Sequence, residues 1–188
     1  MSPFDYVLSL ISFIYAVALT HLLTGAARMV RHRRQLVFSW PHALWMATIF
    51  VDLVINWVTF WDAHALKVID LGAVAVAVAA ATSNYFVAAL VTPEFERDED
   101  YDLVRFQERQ GRTYLVALAV FGLIGLATNA LGALEGLPWA AQNGLVPLMF
   151  APLLAAFFIR RPFVQVLAPL AELVLFLWFA LLYYPRIA

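Results

Sequence analysis

The chain has 188 residues, 64% of them apolar and 13% charged, more apolar surface than a compact soluble domain of that length can cover, so a bilayer is its natural solvent. A formal net charge of -1 excludes the whole-molecule basic footprint of a nucleic-acid binder, and no nucleic-acid partner is expected. The absence of cysteine excludes disulfides, thiolate metal sites, iron-sulfur clusters and a cysteine nucleophile, and leaves the redox compartment open.

The first element is an apolar run over about residues 4–30. It lacks the positive n-region of a secretory signal and continues past signal length, so it reads as a retained helix, entered at Ser2-Pro3-Phe4-Asp5 with a capping serine, a proline and an early acid. Ser9, Ser12, Ala16, Thr20 and Thr24 recur at spacings of three and four, which predicts a closely packed neighbour. His21 sits between Thr20 and Thr24, where it suits an interhelical hydrogen bond in the first instance and proton transfer in the second.

The second span, 40–61, opens at Ser39-Trp40-Pro41. Trp40 and Trp61 would stand about 31 Å apart along a helix, at the depths of the two aromatic belts. His42, Trp45, Ile49, Asp52, Asn56 and Thr59 fall on one face, and that stripe cannot face lipid. The third span, 70–91, alternates Ala and Val from Ala73 to Ala81 and carries Asn84. The linker 93–112 is acidic at first, then places Leu103, Phe106 and Gln110 at helical spacing, which predicts a short helix running into the next span. Glu108 and Arg112 are spaced for an i,i+4 pair on a face that reads as solvated in preference to a docking site.

The fourth span, 113–134, carries Gly122, Gly125, Asn129 and Gly132; its small residues and those of span three predict that these two helices are central. The fifth, 140–159, contains Pro147 and Pro152 and could be a kinked helix or a re-entrant segment, so five or seven crossings is the rival count. The sixth, 163–184, opens at Arg161-Pro162 and places Pro169 one turn before Glu172, freeing a backbone carbonyl near the acid. Trp139 and the Tyr183-Tyr184 pair fit the outer belt. Each span is near the roughly 20 residues that cross a hydrocarbon core. The expected fold is therefore all-α, an integral membrane helical bundle of about six transmembrane helices in a single domain, 1–188. No GxxxG motif occurs in the apolar spans, and no inverted repeat relates the two halves, since Asp52 and Glu172 fall in non-equivalent spans.

Ten of the twelve basic residues fall in the connections after spans one, three and five; Lys67 and Arg186 fall on the opposite side. The positive-inside rule then predicts both termini outside the cytoplasm. Arg31, Arg33 and Arg34 are candidates to hold anionic lipid headgroups, although orientation alone accounts for them equally well.

Asp52 lies about 18 Å along its helix from Trp40, and Glu172 about 14 Å from Phe163, near the bilayer midplane in both cases. A carboxylate facing lipid is disfavoured, so each should point into the bundle or a wet cavity. Depth sorts the remaining polar residues into layers: His21 with Asn84, Asp52 with Glu172, and Asn56 with Asn129, with His42 at the cytoplasmic end of the second span. These seven residues are the candidates for a transport or proton-relay track. The plainer reading pairs them in interhelical hydrogen bonds, and for the asparagines it is preferred.

No catalytic motif is present: the histidines at 21, 32, 42 and 64 lack HExxH or other ligand spacing, and there is no GxSxG, phosphate loop or paired-acid signature. Catalysis, a metal and a cofactor are not expected; a bis-histidine haem on His21 and His42 is the one arrangement the spacing would admit.

The opening DYVLSLISFIYAVALTHLLTGAARMVRHRR, the following WPHALW and the linker LVTPEFERDEDYDLVRFQERQGR resemble a group of small bacterial polytopic inner-membrane proteins. The resemblance covers most of the chain, implies a bacterial inner membrane, and attaches no activity or functional residue. The leading expectation is a small channel or transporter, as a homo-oligomer, that moves protons or small cations past Asp52 and Glu172. The alternative is a non-catalytic membrane subunit or signalling partner that docks another protein through residues 94–112, and a third reading is a lipid- or quinone-binding protein.

Overall fold

In a bilayer each backbone N–H and C=O must find a partner within its own segment, which leaves a long apolar run no choice but helix. The computed structural model describes residues 3–60, 71–94, 102–134 and 146–183. Six helices account for nearly all of these residues: α1 (Pro3–Arg31), α2 (Trp40–Thr59), α3 (Leu71–Val91), α4 (Leu103–Leu134), α5 (Val146–Phe158) and α6 (Pro162–Tyr183). Five of them, all but α5, are long and apolar enough to cross a membrane, and the chain is an all-α membrane bundle.

The helix starts follow the local chemistry. Ser39 stands in extended backbone before α2, with proline in the first turn where no N–H is required. Pro162 opens α6 in the same way. The linker helix and the fourth span are a single 32-residue helix, because Asp102 caps it: Asp102 Oδ1 accepts the N–H groups of Val104 at 2.9 Å and Arg105 at 3.0 Å. Within α5, 13 residues rise only about 20 Å, and Pro152 lies inside the helix without ending it. The expected start of that span at 140 lies outside the described residues, as do Ser2, Trp61, Lys67, residues 95–101, Trp139, Tyr184 and Arg186.

The small-residue signals place the centre of the bundle wrongly. It is α2 that packs against α1, α3, α4 and α6, while the other helices form an arc around it through the pairs α1 with α3, α3 with α4, α4 with α5 and α5 with α6. Within the described residues, α1 and α6 make at most marginal contact, so the arc is open on one side of α2. A strip of α2 consisting of Ala47, Phe50, Val54 and Trp57 is exposed. The Ala-Val run of α3 is largely on the outside up to Ala80, and only from Ala81 onward does the helix bury residues. Gly122 lets the Phe150 ring of α5 approach, whereas nothing lies within 4 Å of a methyl placed on Gly125.

The stripe on α1 also faces away from the bundle. Ser9, Ala16, Thr20 and Thr24 are exposed, and the face packed inward is Ile11, Tyr15, Ala18, Leu22 and Gly25. Ser9 and Thr20 satisfy their hydroxyls on carbonyls one turn back in their own helix, at 2.7 Å each, so polarity alone did not require a neighbour. Ser12 is half-buried and accepts a bond from Trp57 Nε1 at 3.0 Å.

The arginine-bearing connections meet at one end. The turn after α1 pairs with the start of α4, where Leu103 N–H donates to Val37 O at 3.0 Å. Arg112 lies over the Phe157 ring of α5, 5.4 Å from its centre, and makes this contact instead of the i,i+4 pair with Glu108 that spacing suggested. Gln165 Nε2 donates to the Ala156 and Ile159 carbonyls at 2.8 Å each, closing the end of α5 beside the start of α6.

Candidate functional site

The stripe on α2 is sequestered as its composition requires. His42, Trp45, Ile49 and Asp52 are fully buried, and Asn56 and Thr59 are half-buried. Glu172 of α6 is 2% exposed and lies within electrostatic range of Asp52, so the two acids of the sequence do come together. Asn56 Nδ2 donates to Asp52 Oδ1 at 2.6 Å and to the Asp52 carbonyl at 2.9 Å, which orients one carboxylate oxygen along α2.

Asn84 joins this layer and not that of His21. It is fully buried on α3, with its amide beside Asp52 and beside the hydroxyl of Tyr15 on α1. Four helices therefore contribute: Tyr15 from α1, Asp52 and Asn56 from α2, Asn84 from α3, Glu172 from α6. Asp52 Oδ2, Glu172 Oε2 and both polar atoms of Asn84 are buried with no partner meeting strict hydrogen-bond geometry among the described residues, the Asn84 amide lying close to Asp52 and Tyr15 without completing such a bond. Buried polar atoms are almost always paired, because an unpaired one forfeits its hydration for nothing, so a cluster of four such atoms marks a place that chemistry has to complete.

Thr48 links the same two helices one turn below. Its hydroxyl bonds both the Leu44 carbonyl at 2.9 Å and the Pro169 carbonyl at 3.0 Å. The carbonyl that Pro169 frees by lacking an N–H is that of Gln165; the carbonyl actually engaged across the interface is that of Pro169 itself.

A second polar layer lies toward the arginine-rich end. The His42 ring packs edge-on against Phe106 at 5.0 Å and faces Gln107, whose Oε1 accepts the Tyr114 hydroxyl. Both His42 nitrogens and Trp45 Nε1 are buried with no partner meeting hydrogen-bond geometry among the described residues. Leu103, Gln107, Gly111 and Tyr114 form the buried face of the first turns of α4, and Gln110 is exposed. His21 is half-buried with its ring 6.5 Å from that of Tyr85, so the two candidate histidines pack on different helices.

The third expected layer does not form. Asn129 is half-buried on α4, and Asn56 directs its amide to Asp52. Arg31, Arg33 and Arg34 are exposed in the turn after α1, with Arg33 Nη1 donating to the Val30 carbonyl at 3.3 Å. Tyr15, Thr48, Gln107 and Tyr114 are the residues that sequence reasoning missed. Thr48 was within reach, being four residues before Asp52 on the same helical face. Among the described residues no three His, Asp or Glu side chains cluster as metal ligands.

Comparison with protein-family models, curated proteins and solved structures finds no match.

Proposed function

We propose that the chain is a small membrane channel or transporter that moves protons or small cations through its helix bundle, with Asp52 and Glu172 as the central site. The observation that carries this reading is the pair of buried acids within electrostatic range of each other on α2 and α6, each with one oxygen that meets no hydrogen-bond geometry among the described residues, and with the amide of Asn84 beside Asp52. Two carboxylates within electrostatic range in a buried, low-dielectric setting repel; a proton or a cation bound there removes the repulsion. An ion pathway is the usual reason for keeping acids at such a depth.

Toward the arginine-rich end the site is closed. Trp45 and Ile49 fill the face of α2 between His42 and Asp52, about 15 Å apart along the helix, so access from the arginine-rich end requires movement of α2 against its neighbours. Pro169, one turn before the acid and joined to α2 through the Thr48 hydroxyl, gives α6 a place to bend. In this reading the arginine-rich end faces the cytoplasm and both termini lie outside it.

Purified protein in liposomes, loaded with a pH-sensitive dye and driven by a potassium diffusion potential, should give a flux that Asp52→Asn and Glu172→Gln abolish while elution volume and helical content stay unchanged. Absence of flux in the unsubstituted protein, or flux that persists in both variants, rejects the proposal.

A further inference from the structure

The open side of α2 holds a groove with a chemistry of its own. Leu22, Ala26 and Met29 of α1 form one wall, Met46 and Phe50 of α2 the other, and the turn between the helices closes the end, for a volume of about 410 Å³. Every lining residue but one is apolar, and the exception is Arg33 at the rim. Arg33 also belongs to a second, polar hollow of about 350 Å³ formed with Arg31, His32, Arg34 and Gln35. The two spaces share Arg33, whose Nη1 donates to the Val30 carbonyl. An apolar slot thus runs directly into a basic cup.

Depth agrees with this pairing. The exposed rings of Phe38, which lines the groove, and Trp40 pack edge to face at 5.1 Å, as aromatic side chains do at headgroup level. From Ala43 to Phe50 the lining of α2 rises about 10 Å, and from Leu22 to Val30 that of α1 about 12 Å, against about 15 Å for half of a hydrocarbon core. The groove spans most of one leaflet. Its floor is fixed rather than collapsible, since Leu103 of α4 lines it and is held by its backbone bond to Val37.

We infer that this groove is a binding site for one anionic phospholipid of the bilayer, with an acyl chain lying between α1 and α2 and the phosphate in the cup at Arg33, flanked by Arg31 and Arg34. The charge of the cup selects the headgroup, and the apolar slot rules out a headgroup alone.

Native mass spectrometry of the full chain, released from micelles containing equal phosphatidylglycerol and phosphatidylcholine, tests the assignment. One phosphatidylglycerol should remain bound in preference to phosphatidylcholine. Arg33→Gln should lower that preference about fivefold, the contribution typical of one arginine at a membrane surface, while Arg109→Gln, at an exposed arginine on α4, leaves it unchanged. Ala47→Trp, at a groove residue exposed on α2, should expel both lipids, and glycerol 3-phosphate without acyl chains should not compete. Equal retention of the two lipids, an equal effect of Arg33→Gln and Arg109→Gln, or competition by glycerol 3-phosphate overturns it. Unchanged helical content by circular dichroism shows that each variant is folded.

Discussion

A methyl group on Gly25 would overlap Thr92 Cγ2, and Thr92 cannot turn aside without losing the 2.7 Å bond from its hydroxyl to the Ala88 carbonyl. The close approach of α1 to α3 at that level therefore depends on a missing side chain. Gly25→Ala should destabilise the protein by about 1–3 kcal/mol, the usual cost of overpacking, and Thr92→Ser on the same background should restore most of it by removing the obstructing methyl. Gly125→Ala, where a methyl meets nothing within 4 Å, should be near neutral. Unfolding midpoints in mixed micelles distinguish the three. Residue type alone could not separate these glycines. What made Asp52 and Glu172 legible was the cost of a charge at bilayer depth, which holds whatever the neighbours are. Tyr15, Gln107 and Tyr114 have no such signal, because each suits a lipid-facing or an interfacial position until the partner helix is known.

At the scale of elements, α4 shows how capping decides where a helix begins. Asp102 bonds two orphan N–H groups and lies 3.5 Å from Arg105 Nε, and its neighbour Leu103 ties the helix to the turn after α1. Asp102→Ala should cost about 1 kcal/mol and speed amide exchange at Val104 and Arg105 in particular. Arg105→Gln should do little, since the Arg105 side chain of that pair is largely solvent-exposed. Helix bounds were readable because charge clusters and prolines mark where an apolar run must stop. The faces of the helices were less so: on α1 the hydroxyl stripe looked like an interface, yet serine and threonine can bond their own helix and then tolerate an exposed position.

For the whole molecule, the packing of α2 against four neighbours concentrates stability on a single helix. Ile49, fully buried there, should cost about 2–4 kcal/mol when cut to alanine, because the cavity is walled by helices that cannot all close in. Val76→Ala on the outer half of α3 removes atoms that face outward, 39% exposed, and should change stability little. Thermal aggregation of the two variants in one detergent compares them directly. The gathering of the basic connections at one end was visible in the alternation of charge along the chain, since sidedness is a property of sequence order. Which helix takes the centre was not, because it depends on which faces meet across the bundle, and the small residues that marked α3 and α4 lie partly on the outside.

The link between Thr48 and Pro169 also bears on how the central acids stay covered. Helix α6 carries both Glu172 and the carbonyl that accepts the Thr48 hydroxyl, so one helix–helix contact brings the second acid to α2 and satisfies a buried hydroxyl one turn from Asp52. Loss of that contact would uncover Thr48 and both carboxyl groups together, which ties the shelter of the acids to the docking of α6.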